Sequence, residues 1–192
     1  MKLFPLLLLP LLLVCCKNKR KATQEEVHPF PAVAFLKGQV REFDSSMLSF
    51  TRIDQHAGGR SDTMPITRED FRRAAAPFLE LPDITQEKWR SMYTESRDFD
   101  PVTQYVVFDY VARDPDAPLQ RQQVYIDPQV GDSGKVNTVI VDLYENRKGT
   151  VVHRNLYWKA RSHFQVAEDA PGPGGKDTVH RTRVEWNDFT RN

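Results

Sequence analysis

Sulfur chemistry is nearly absent from this sequence. Its two cysteines, Cys15 and Cys16, are adjacent, and no thiol follows residue 16. Neighbouring cysteines rarely bridge, because one peptide holds their Cα atoms closer than disulfide geometry wants. Cysteine nucleophiles, cysteine-rich zinc sites and iron–sulfur clusters are thereby excluded from the body, which must rely on its core. A surplus of charge is missing too. Lys2 is the only charged side chain in residues 1–15, so the remainder carries 26 bases and 26 acids. Phosphate binding needs concentrated positive charge, so nucleic acid is not an expected partner. Long apolar runs are confined to the start: Leu3–Val14 is twelve residues, short of the ~20 that a spanning helix needs.

Catalytic signatures are scarce. Gly131-Asp-Ser-Gly134 has the order seen around a protease serine, but Lys135 stands where another glycine is needed and no partner histidine segment precedes it. Gly172–Lys176 lacks the first glycine of a phosphate loop, and Asp177 follows the lysine. The five histidines, His28, His56, His153, His163 and His180, include no pair at the i, i+4 spacing of helical zinc sites. His153 and His163 read as members of one strand, ten residues and roughly 33 Å apart, too far for one metal. No cofactor and no catalytic residue is assigned.

What is present begins with an address. One cation, Lys2, precedes the apolar run of Leu3–Val14, the pattern of a signal peptide, and Pro5 and Pro10 argue against a long helix. Leu13-Val14-Cys15-Cys16 resembles the lipobox of bacterial lipoproteins, in which cleavage precedes a cysteine that is then lipidated. Cys16 suits this better than Cys15, since it puts Leu13 at −3 and a small residue at −1. The residue before it departs from the usual Gly, Ala or Ser. The resemblance implies a diacylglyceryl group and an N-acyl chain such as palmitate, and two or more chains anchor stably at ~0.8 kcal/mol per buried methylene. Lys17, Lys19, Arg20 and Lys21 follow beside the headgroups, within a polar tether read as residues 16–30. The basic tether, where surface-exported lipoproteins of Bacteroidota carry acids, points to an outer-membrane anchor facing the periplasm.

Residues 31–189 read as one domain. Apolar residues at Phe35, Leu36, Val40, Phe43 and Met47 recur at helical spacing, so Pro31–Ser46 is an expected helix. Met47–Asp54 and Arg60–Ile66 read as a hairpin around His56–Gly59. Thr67 caps a second helix over Arg68–Leu79, with Glu69 and Asp70 in its first turn and Pro77 near its end. Thr85 caps a third, Gln86 to about Thr94, and Ser96–Pro101 reads as a loop. Four or five strands follow: Val102–Arg113, Leu119–Asp127, Val136–Tyr144, Thr150–Val166 and Thr178–Trp186, with a Pro/Gly-rich loop at Ala170–Asp177. Short connections make neighbours antiparallel. The expected fold is α+β: N-terminal helices and a β-hairpin, then an antiparallel meander of four to five strands, helices on one face.

The order of the body also resembles uncharacterised lipoproteins of Bacteroidota, through Phe35–Ser45, Leu119–Val124 and Leu156–Val166. That resemblance implies no activity. The alternation does suggest a surface. Tyr105, Val107 and Asp109 share one face of their strand; Gln123 and Tyr125, Asp142 and Tyr144, and His153, Asn155, Tyr157 and Lys159 do so on theirs. If register aligns them, one sheet face is apolar and the other is lined by tyrosines, carboxylates, a histidine and a lysine. Tyrosine is amphipathic and suits binding surfaces, although it is also a good strand former on a solvated face. Tyr105, Asp109, Tyr125, Asp142, Tyr144, His153 and Tyr157 are the candidate binding residues. The expected function is a lipid-anchored binding or interaction module of the envelope, with an envelope protein or a small ligand as partner. A small hydrolase using Asp109 and Asp142 as paired carboxylates, or a lipid or small-molecule carrier, is the alternative.

Overall fold

The computed structural model describes residues 29–131, 134–147, 149–171 and 177–187. The expectations for the signal peptide, Cys16 and the basic tether up to residue 28 lie outside the described residues, as do parts of the Gly131–Gly134 and Ala170–Asp177 loops and everything beyond Asn187. Pro29 and Phe30, read above as the end of the tether, belong to the folded body: Pro29 is buried, and the Phe30 N–H donates to the Tyr110 hydroxyl at 2.8 Å.

Helix α1 spans Ala32–Asp44 and buries Leu36, Val40 and Phe43 of the predicted stripe, with Ala32 and Val33 added; Phe35 is half-buried, and Met47, beyond the helix end, is exposed. The hairpin follows as β1, Ser49–Gln55, and β2, Ser61–Ile66. Helix α2 spans Arg68–Leu79. Its Thr67 cap is a capping box: the Asp70 N–H donates to the Thr67 hydroxyl oxygen while the Thr67 N–H donates back to the Asp70 carboxylate. Pro77 sits inside the last turn, and the helix continues past it to Leu79. The third helix, α3, is a single turn, Glu87–Arg90, shorter than expected. Thr85 does not cap it; that hydroxyl donates to the Asp83 carboxylate, and Gln86 holds the cap position.

Seven strands then run as a continuous meander: β3 Tyr93–Asp100, β4 Tyr105–Ala112, β5 Leu119–Asp127, β6 Lys135–Arg147, β7 Thr150–Lys159, β8 His163–Pro171 and β9 Asp177–Asn187. Strand β9 closes onto β1, so one antiparallel sheet of nine strands results, in the order β2-β1-β9-β8-β7-β6-β5-β4-β3. The α+β class and the helix-on-one-face arrangement stand. The expected count of four to five strands does not, for three physical reasons. Strand β3 (YTESRDFD) is an edge strand with one residue in the core, so it lacks the alternation that marks a half-buried strand. The long segment Thr150–Val166 is two strands. Its break is made by Arg161 in a left-handed conformation at φ 63°, without glycine or proline to announce it. The N-terminal hairpin joins the same sheet through pairing across more than 120 residues, from Phe50↔Trp186 to Gln55↔Arg181. Likewise Val102–Gln104 form a turn instead of the start of β4.

Helices α1 and α2 cover one face. Phe43 meets Phe71 edge-on at 5.6 Å, and Phe71, Phe78, Trp158, Phe164 and Trp186 form an aromatic cluster between helices and sheet. Val139, Val141, Leu156, Trp158, Phe164 and Val184 are fully buried beneath them. Gln122 is out of keeping with this layer. It is fully buried on the covered face, and among the described residues neither amide atom finds a partner.

Candidate functional site

The opposite face carries no helix among the described residues. Register assembles it row by row. One row runs Asp98–Val107–Tyr125–Thr138–Lys159–His163–Glu185–Thr51. The next runs Ser96–Asp109–Gln123–Ile140–Tyr157–Gln165–Arg183–Ile53, and a third carries Arg121–Asp142–Asn155–Ala167–Arg181. Tyr144 lies opposite His153 and His153 opposite Asp169. All seven residues singled out in the sequence therefore share one face. Side-chain parity carries this result: the seven lie in stretches that keep their period of two, residues 105–111, 121–125, 138–147 and 150–159. Two irregularities in the β5–β6 register, at Gln120 and Asn137, each invert the alternation, and both fall outside those stretches. One leaves Asn137 extra, with its side chain on the same open face, where its amide donates to the Tyr105 hydroxyl at 2.9 Å. Alternation alone could not reveal Asn137, whose odd position reads as covered.

Among the described residues the charges on this face, Asp98 apart, are held by an opposite charge or an amide. Arg121 grips Asp109 with two bonds of 2.8 and 2.6 Å, and those bonds raise its pKa above the ordinary guanidinium value. Asn155 donates to Asp142 at 2.8 Å, and His153 stands 3.5 Å from Asp142 and 3.8 Å from Asp169. Lys159 bonds Asn137, and Arg183 pairs with Glu185 at 2.7 Å. Burial and the nearby Arg183 and Lys159 push His163 below its usual pKa, with Glu185 opposing. Two phenols and two amides are in the contrary state. Among the described residues no partner takes the Tyr125 or Tyr157 hydroxyl, nor the amides of Gln123 and Gln165. Two rings are held flat by neighbours: Tyr144 stacks on His153 at 4.8 Å and 24°, and Tyr157 on His163 at 5.5 Å and 25°.

Asp109 and Asp142 do not form a carboxylate dyad. Arg121 is paired in register with Asp142 while its guanidinium holds Asp109, so a cation sits between them. His153 and His163 do not share a strand, as the sequence suggested, but lie on β7 and β8. Six residues along β7 separate His153 from Lys159, the residue opposite His163, about 20 Å of strand. Among the described residues no group of three or more His, Cys, Asp or Glu is placed to hold a metal.

Cavities lie elsewhere. One of about 410 Å³ opens at the β3 edge on the helix side, lined by Pro29, Ile84, Tyr93, Glu95, Arg97 and Tyr110 among others. Others sit at the β1–β2 turn around His56 and Arg181, and at the β5–β6 end around Lys135 and Arg161. Tyr105, Asp109, Tyr125, Asp142 and Tyr157 line none of these three. The seven candidates thus form a broad open surface. Among the described residues no helix is long and apolar enough to cross a membrane. No protein family model, curated protein or solved structure matches this chain.

Proposed function

We propose that the chain is a lipid-anchored protein of the cell envelope, attached through Cys16 to the outer membrane and facing the periplasm, whose domain holds an envelope protein on the open sheet face. The supporting observation is the contrast within that face. Apart from Asp98 on the edge strand, its charged groups are held by a neighbouring charge or amide, while Tyr125, Tyr157, Gln123 and Gln165 keep unspent hydrogen-bonding heads on a half-buried aromatic floor. A protein contact wants such a centre: tyrosines give area at low entropic cost and uncompensated charge is kept out. Breadth favours a macromolecular partner over a small ligand, which takes a concave site. Hydrolysis has less support, since Asp109 is neutralised by Arg121 and Asp142 is held by Asn155.

Two experiments test the two halves. Mass spectrometry of the mature N-terminus should find acyl chains on Cys16; a free unmodified amine there removes the anchor. A photo-reactive residue at Tyr157 should cross-link an envelope protein in intact cells, while one at exposed Lys37 on α1 should not. Equal adducts from both positions, or adducts from Lys37 alone, would discard the open face as the contact surface.

A further inference from the structure

Strand β3 ends the sheet, and among the described residues nothing pairs with its outer side. An unblocked edge is a template for another strand. The other edge, β2, is shorter and carries Pro65, which has no N–H to offer. Strand β3 runs eight residues without proline or register shift. Which backbone groups face outward follows from one bond. The Arg113 N–H donates to the Met92 carbonyl at 2.9 Å, one step beyond the Tyr93↔Ala112 pair. Hydrogen-bonded pairs recur at every second residue. Thr94, Ser96 and Asp98 therefore turn their backbone groups towards β4, and Tyr93, Glu95, Arg97 and Phe99 turn theirs outward.

We propose that β3 is a dimer seam, at which the outer edges of two copies of this chain pair antiparallel about Ser96. Three independent features select this register. Outward-facing residues must oppose one another, and pairing about Ser96 sets Glu95 against the second copy's Arg97, and Tyr93 against its Phe99. Moving the centre one outward pair either way sets Glu95 against Glu95 or Arg97 against Arg97, which like charge disfavours. The Glu95–Arg97 pair that each chain closes on itself at 2.8 Å is thus re-formed across the seam. The third feature is steric. Phe99 is 59% exposed, and Tyr93, the residue it would oppose, lines the cavity of about 410 Å³ on the same helix side of the sheet. A two-fold axis normal to the sheet keeps helix side with helix side, so each Phe99 enters the other copy's cavity beside Tyr93, Tyr110 and Ile84. The contact is isologous and closes on itself. It is independent of the open-face reading, because it uses the edge and the covered side.

The body contains no cysteine, which makes the seam directly readable. Ser96 opposes itself in a pair that is not hydrogen-bonded, with Cα atoms about 4.5 Å apart, within disulfide range. The full chain with Cys15 and Cys16 replaced by serine, carrying Ser96→Cys and oxidised in detergent, should run as a linked dimer. Thr94→Cys and Asp98→Cys should each link at least tenfold less alone, and should link to one another when mixed. In the Ser96→Cys background, Glu95→Arg or Arg97→Glu should cut cross-linking at least tenfold, and the double exchange should restore it, with circular dichroism confirming folding in each. A Ser96→Cys chain that stays monomeric, equal linking at positions 94, 96 and 98, or a folded double exchange no better than the single variants would overturn the seam.

Discussion

The two faces of the sheet are made by the same strands and differ in almost everything else. On β7, Leu156 and Trp158 are fully buried under the helices, while their immediate neighbours Asn155 and Tyr157 stand on the open side. The covered face ends in a polar border where Arg154, 13% exposed, binds Glu145 and Glu168 at 2.9 and 2.7 Å. The open face carries ion pairs too, but Arg121 is 46% exposed. One face is where burial stabilises the fold; the other holds chemistry that the fold does not require. That asymmetry is why the open side is the place to look for function.

The largest break in this comparison should come from adjacent residues. Trp158→Ala removes a ring packed on Phe78, Phe164 and Trp186 and should cost about 3–5 kcal/mol in urea unfolding. Tyr157→Ala, one residue earlier, should cost below about 1 kcal/mol. Next come the ion pairs. Arg154→Ala leaves Glu145 and Glu168 only the more exposed Arg147 and should cost about 2 kcal/mol, against less than about 1 kcal/mol for Arg121→Ala. Gln122→Leu tests the covered face with the opposite sign: replacing an unpartnered buried amide by a shape-matched apolar group should raise stability by about 1–2 kcal/mol. A loss of stability there would mean that the amide has a partner after all.

The smallest effect is confined to alkaline pH. Burial pushes the Tyr110 phenol up to about 12, with the Phe30 N–H opposing. A raised value means that the folded state holds this proton more tightly than the unfolded one. Its contribution is complete below the ordinary value of 10.0 and is lost as pH rises from there to about 12. Tyr110→Phe should flatten that part of the stability profile and remove the last-titrating step from the phenolate absorbance.

Much of this contrast was legible in the chain. Period two placed Tyr105, Asp109, Tyr125, Asp142, Tyr144, His153 and Tyr157 on one face because each lies in a strand with an apolar partner row, and Thr67 announced its helix as an N-cap residue followed by Glu69 and Asp70. What escaped was what alternation cannot encode. Half of β3 is charged because an edge needs little core, so it read as the end of the third helix and a loop. Arg161 turns the chain at positive φ without a turn residue. The union of β1 with β9 depends on distant pairing, and Asn137 joins the open face only through an irregular register.

The most direct test of the open face is a photo-cross-linking scan along β7 in intact cells, one position at a time from Val152 to Lys159. Adducts to a partner are expected at His153, Asn155, Tyr157 and Lys159 and absent at Val152, Arg154, Leu156 and Trp158, a period of two. Adducts without that period, or arising only from α1 and α2, would contradict the assignment of the partner to the uncovered side of the sheet.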